Sequence, residues 1–275
     1  MLILALTRKG QENYNGSVPD DVIDSGICGD PEVSSGQNVT WKLTGDGVLT
    51  ISGTGAMANY NSTNQPWAAF KSGITTVVIG NGVTTIGNEA FADCMSLATV
   101  TVCSGSVTEL GDNAFEGCNE DLIIYVPMDE YDNYCNRWPA YAAIIQPIGA
   151  IPYIAADGTK AFCTEFTELT GNETSLGMDD EEKWYVVNNI DGITYDHTLT
   201  LTGDVHIILA DGCTMNVGTS GSRINGIGIN SLYEEDVPKS LTIYGQSRQT
   251  GNLNIYSTSN AFADWGIFKY IIYIP

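Results

Sequence analysis

Thr75-Thr-Val-Val-Ile-Gly-Asn-Gly-Val-Thr-Thr-Ile-Gly-Asn-Glu-Ala-Phe-Ala-Asp-Cys-Met-Ser-Leu97 is followed by Val100-Thr-Val-Cys-Ser-Gly-Ser-Val-Thr-Glu-Leu-Gly-Asp-Asn-Ala-Phe-Glu-Gly-Cys118, and the second stretch copies the first. Gly87, Ala90, Phe91 and Cys94 recur 24 residues later as Gly111, Ala114, Phe115 and Cys118. A fixed period of this size reads as a solenoid of short coils. Val77 and Ile79 alternate with Val78 as a strand, a Gly-Asn-Gly turn follows, and Val83 and Ile86 point inward again. Asn88-Glu-Ala-Phe-Ala-Asp-Cys94 reads as one helical or 3₁₀ turn whose Ala90 and Phe91 plug the coil, with Cys94 and Leu97 in the remaining inward positions. No single coil buries these groups alone, whereas stacked neighbours do so while pairing their strands in a parallel ladder.

Outward from this core, Val39-Thr-Trp-Lys-Leu43 and Val48-Leu-Thr-Ile-Ser52 alternate around Thr44-Gly-Asp-Gly47, a hairpin signal. Its second strand is expected to be the first rung, followed by a cap loop with Trp67 and Phe70 as lids. Leu122-Ile-Ile-Tyr-Val-Pro127 gives a fourth strand, and Asp129-Glu-Tyr-Asp-Asn-Tyr-Cys-Asn-Arg-Trp-Pro139 reads as a short helix that buries Tyr131, Tyr134 and Trp138. The motif Val-x-Ile-Gly-Asn-Gly-Val-Thr-x-Ile-Gly-x-x-Ala-Phe-x-x-Cys-x-Ser-Leu resembles the BspA-type leucine-rich repeats of bacterial surface proteins, over residues 26–148 with the caps. The resemblance implies an extracellular or cell-surface, non-catalytic interaction solenoid.

The 275 residues fit two domains, and 30 glycines with many Thr and Val point to a mainly β chain. The expected division is an extended or disordered segment 1–25, the leucine-rich-repeat solenoid 26–148, with parallel strands and short helical turns, and a right-handed β-helix-like domain 149–275. Lys plus Arg number 11 against 33 Asp plus Glu, and a net charge of −22 repels a phosphate backbone, which excludes nucleic acid as a partner. No run reaches the ~20 apolar residues of a membrane span. Met1-Leu-Ile-Leu-Ala-Leu-Thr-Arg-Lys9 is too short to be an export signal. Seven cysteines are an odd number, and buried free thiols are the expected state.

In the second half, short strands include Trp184-Tyr-Val-Val187, Val205-His-Ile-Ile-Leu209, Thr214-Met-Asn-Val217, Leu241-Thr-Ile-Tyr244 and Leu253-Asn-Ile255. Ile207 and Leu209 match Leu241 and Ile243 at an offset of 34, Met215 and Val217 match Leu253 and Ile255 at 38, and Gly226-Ile227 matches Gly266-Ile267 at 40. Rungs of three strands with variable corners explain the drift. Gly203-Asp-Val-His-Ile-Ile-Leu-Ala-Asp-Gly212 and Ser240-Leu-Thr-Ile-Tyr-Gly-Gln246 resemble the β-helical domain found beside BspA-type repeats in gut bacterial surface proteins. The apolar stretch Trp265-Gly-Ile-Phe-Lys-Tyr-Ile-Ile-Tyr-Ile-Pro275 lacks a cap, so a longer chain or end-to-end self-association through this edge is expected.

Chemistry is sparse. Two histidines, His197 and His206, stand without a His-Glu-x-x-His or Cys-x-x-Cys spacing, so no metal or cofactor is expected. The acidic run Met178-Asp-Asp-Glu-Glu-Lys183 lacks the alternating spacing of a calcium loop, and Asp204, Asp211 and Asp236 fall where turns favour Asp. The expected function is adhesion or recognition of a protein or glycan, with a carbohydrate-active β-helix enzyme or a passive stalk as alternatives. The candidate binding face is the outward column Thr50, Val78, Thr101 and Tyr125, flanked by Thr76, Thr99 and Ile123.

Overall fold

An antiparallel ribbon opens the chain: β1 (Val22–Ile27), β2 (Val39–Thr44) and β3 (Val48–Gly53) pair in sequence. Val39, Trp41 and Leu43 alternate with polar residues and are buried, so β2 presents one apolar face to the core. This computed structural model describes residues 21–178, 181–218, 227–229, 240–248, 250–255 and 270–272. Residues 1–20 of the N-terminal segment therefore lie outside the described residues, and β1 begins inside the stretch read as extended or disordered. The chain divides into two units, Met1–Gly149 and Ala150–Pro275.

In the first unit the ribbon leads into β4 (Gly55–Ala56), β5 (Thr76–Ile79), β6 (Val83–Ile86), β7 (Thr99–Val102), β8 (Glu109–Leu110), β9 (Ile123–Val126) and β10 (Ile145–Pro147). β3, β5, β7, β9 and β10 are parallel neighbours, and β4, β6 and β8 form a second parallel ladder. Leu49, Val77, Val100 and Ile124 fall in one register line, Ile51, Ile79 and Val102 in the next, and all are fully buried. Trp67, Phe91, Phe115 and Tyr141 run through the interior with ring centroids 5.5, 5.7 and 5.5 Å apart, the first two contacts stacked and the third edge-on. Helix α1 (Tyr131–Arg137), flanked by 3₁₀ turns, closes the far end with Tyr134 and Trp138 buried.

The plug segment differs from the helical or 3₁₀ turn expected of it. Glu89 and Asp93 take φ of 48° and 62°, outside the helical region, and residues 88–93 form consecutive turns. The reason lies in where the amides go. Ala90, Ala92 and Cys94 bond back to Gly87, Glu89 and Phe91, while Glu89, Phe91 and Asp93 donate to Asp112, Ala114 and Glu116 of the next coil. A helix would satisfy the segment internally and leave its neighbour unpaired. Gly87 and Gly111 permit the approach, since a Cβ would stand 1.8 Å from Ala58 O and 2.2 Å from Asn88 N respectively.

The second unit starts with an antiparallel hairpin, β11 (Ile151–Ile154) and β12 (Lys160–Cys163), turned by residues 155–159. Then follow β13 (Thr167–Glu168), β14 (Ser175–Leu176), β15 (Glu182–Val187), β16 (Ile193–Tyr195), β17 (Leu199–Leu201), β18 (Asp204–Leu209), β19 (Thr214–Val217), β20 (Ile227–Ile229), β21 (Ser240–Gly245), β22 (Asn252–Ile255) and β23 (Tyr270–Ile272). They sort into three parallel ladders: β13-β15-β18-β21-β23, β14-β17-β20 and β16-β19-β22. The core fills with residues such as Leu176, Tyr195, Leu201, Ile207, Met215 and Ile243.

The register corrects one sequence alignment. Ile207 pairs with Ile243 and Leu209 with Gly245, an offset of 36 rather than 34, whereas Met215↔Leu253 and Val217↔Ile255 keep 38. A two-residue slip leaves the in-out alternation unchanged, so the hydrophobic pattern cannot distinguish the two. Asp204 also lies within β18 and not at a turn. The matches at Gly226 and Gly266-Ile267, Asp179, Asp180 and Asp236, and all of the C-terminal stretch except Tyr270–Ile272, lie outside the described residues.

Candidate recognition faces

Because successive side chains of a strand point to opposite faces, burial of Leu49, Ile51, Val77, Ile79, Val100 and Ile124 turns their neighbours outward. The register places these neighbours in two lines. Lys42, Thr50, Val78, Thr101, Tyr125 and Gln146 follow one another, and Val48, Thr76, Thr99 and Ile123 run alongside. The predicted column and its flank are thus brought together. Thr50, Val78, Thr99 and Tyr125 are half-buried, but Thr101 in the middle is only 5% exposed, so a ligand on this face would meet its neighbours instead. Burial raises the Tyr125 hydroxyl above its ordinary pKa, which keeps it a neutral hydrogen-bonding group. No charged residue occurs in β3, β5, β7, β9 or β10 of a chain with 33 acidic residues.

A second outward cluster went unrecognised in the sequence. Trp184 of β15 stacks on His206 of β18 and Tyr244 of β21 at 4.5 and 5.1 Å, and Tyr153 from the hairpin approaches Trp184 at 5.0 Å. The Trp184 indole N–H donates to Glu182 Oε1 at 2.6 Å, which lies 3.5 Å from His206 Nε2, and His206 Nδ1 is 3.0 Å from the Tyr244 hydroxyl. Burial lowers the pKa of His206 against the pull of Glu182 and Asp204. The rings cover one another, so this is a satellite core beneath the hairpin with Cys163, Val186 and Ile208. The signal available in the sequence was the repeated outward position of Trp184 and His206, two strands of one ladder.

A third cluster closes the first coil of the second unit. Glu173 accepts from Thr170 N and Oγ1, Gly171 N and the buried Tyr195 hydroxyl. Burial alone would raise its pKa, but the hydrogen bonds of Tyr195 and Thr170 prevail and hold it at about 2. His197 places its two ring nitrogens 2.9 Å from Glu173 O and from Asp196 Oδ1, and these acceptors raise its pKa. Asp211 receives Arg248 N and Thr250 N, a turn role. Among the described residues no group of three His, Cys, Asp or Glu could hold a metal ion. The cysteines among the described residues are free thiols.

Stacked coils with parallel strands and an internal column of plug residues define a leucine-rich-repeat-type solenoid in the first unit. Residues 61–135 match the model of the BspA type leucine rich repeat region, which spans six copies. Among solved structures, a leucine-rich repeat protein from Eubacterium ventriosum is similar at 23% identity over 78% of this chain, with a TM-score of 0.30. The chain spans 46% of that protein's length. A leucine rich cell surface protein from Faecalibacterium prausnitzii shares 11% identity over 68% of this chain and 76% of its own, with a TM-score of 0.15. No curated protein matches the chain. Among the described residues no helix is long and apolar enough to cross a membrane.

Proposed function

We propose that the chain is a non-catalytic recognition protein of a bacterial surface that binds a protein or glycan on the outer sheet face of its first unit. The observation that carries this is the register itself, which aligns Thr50, Val78 and Tyr125 beside Thr76, Thr99 and Ile123 on strands free of charge. Hydroxyls and one half-buried aromatic suit a polar partner or a sugar ring, and charge is depleted as at the centre of recognition surfaces. The second unit is read as a β-helix-like spacer, its coils right-handed by the crossover preference of parallel strands.

The test uses a panel of immobilised glycans and purified extracellular proteins. Thr99→Lys leaves the melting temperature nearly unchanged, Tyr125→Ala lowers it modestly through the apolar area lost with the ring, and each reduces binding to the identified ligand by at least ~10-fold. Binding unaltered by both substitutions would move the site off this face, and release of a shortened glycan would replace recognition by catalysis.

A further inference from the structure

We propose that β1 is a pairing edge for a second copy of this chain. β1 ends the seven-stranded sheet and has β2 as its strand neighbour among the described residues. It adds little to the core: Val22, Ile23 and Ile27 are 46%, 53% and 50% exposed. Cys28 N–H bonds to Val39 O on β2, and backbone groups alternate along a strand, so Ser25 and Ile27 turn theirs away from β2. Among the described residues the Ser25 N–H donates to the carboxylate of its own neighbour, Asp24, at 2.8 Å.

The second observation lies beneath the strand. Trp41 is 5% exposed, and its indole N–H has no hydrogen-bond partner among the described residues. It lies against Gly26, 2.9 Å from where a Cβ would stand. A buried donor of this kind calls for an acceptor.

An antiparallel pair of β1 strands centred on Ser25 meets both conditions. Ile23 then faces the partner's Ile27, and the reverse pair forms by symmetry, covering the exposed apolar side chains. Asp24 faces the partner's Gly26, a non-hydrogen-bonded pair with Cα atoms ~4.5 Å apart, on the face that carries the partner's Trp41. One carboxylate oxygen is thereby placed beside the orphan indole N–H. Centring the pair one residue earlier sets Asp24 against the partner's Asp24, which repulsion disfavours. Below the irregularity between Val22 and Asp24 in the β1–β2 register, one pairing matches Ile23 with Ile27, Asp24 with Gly26 and Ser25 with itself, which favours a second copy over an unrelated peptide.

With a net charge of −22 on each copy, long-range repulsion opposes association and salt screens it. Light scattering on the full chain is therefore expected to show a dimer fraction that grows with concentration and with ionic strength. In the dimer the Trp41 indole proton resonance shifts. Ile23→Lys and Ser25→Pro each weaken the dimer at least ~10-fold. Ser25 does not bond to β2 through its N–H, so proline leaves the ribbon intact, and exposed Ile23 decides the matter if it does not. A monomer at every concentration and salt, a dimer that survives both substitutions, or a dimer with an unmoved Trp41 resonance would overturn the proposal.

Discussion

Tyr195 donates its hydroxyl to Glu173 Oε2 at 2.7 Å, joining the interior of the second unit to a carboxylate at its entrance. Glu173 is held at about 2, below the ~4.3 of an unfolded glutamate. A depressed carboxylate contributes stability that is fully present above the unfolded value and is lost as pH falls from ~4 towards 2. Glu173→Gln is expected to remove this acid-side slope and to cost about 1 kcal/mol near neutral pH, a figure reduced for solvent screening. Denaturant midpoints of both proteins across pH 2–7 check it; parallel curves would refute the linkage.

Phe91 lies between Trp67 and Phe115 in a stacked column and is fully buried. Phe91→Ala removes both ring contacts and leaves a cavity that two rigid neighbours cannot collapse, at a cost of ~3–5 kcal/mol. Thr99→Ala on the outer face should cost less than ~0.5 kcal/mol. Urea unfolding followed by fluorescence separates the two.

Gly87 and Gly73 give a matched pair. A Cβ at Gly87 would stand 1.8 Å from Ala58 O, a backbone atom of the adjacent coil, while at Gly73 nothing lies within 4 Å. Gly87→Ala is expected to destabilise by ~3 kcal/mol or more through forced coil separation, and Gly73→Ala to be neutral within ~0.5 kcal/mol. Equal melting temperatures would contradict the close approach.

Cys94 and Cys118 occupy equivalent positions of successive coils, and Cys118 Sγ donates to Phe91 O at 3.3 Å. Burial pushes the two thiols up to about 12 and about 11. Raised thiols favour the folded state below the unfolded value of ~8.5, and that contribution is lost as pH rises above it towards 11–12. Iodoacetamide at pH 8 should label both sites only after denaturant is added, as peptide mass spectrometry would show.

The period of 24 was legible because each recurring residue answers a steric demand: Gly111 for coil contact, Ala114 for a tight corner, Phe115 for the interior. The outward lines followed from the same strands. The burial of Thr101 was not legible, since it depends on the side chains of adjacent strands rather than on its own alternation. The spacing of Ala90, Phe91 and Cys94 imitates a helical turn, and only the amides that reach the next coil show that it is not one. Pro152 and the brevity of Lys160–Cys163 concealed the hairpin, and with it the cover over Trp184. His206, considered by itself, gave no sign of its stack with Trp184.

The interior column Trp67, Phe91, Phe115 and Tyr141 and the amides passed from coil to coil act only between neighbours. A tether pulling along the solenoid axis would therefore load these contacts in series, one coil interface after another, and the weakest would part first. Tension would then release chain from the first unit in coil-sized lengths rather than all at once.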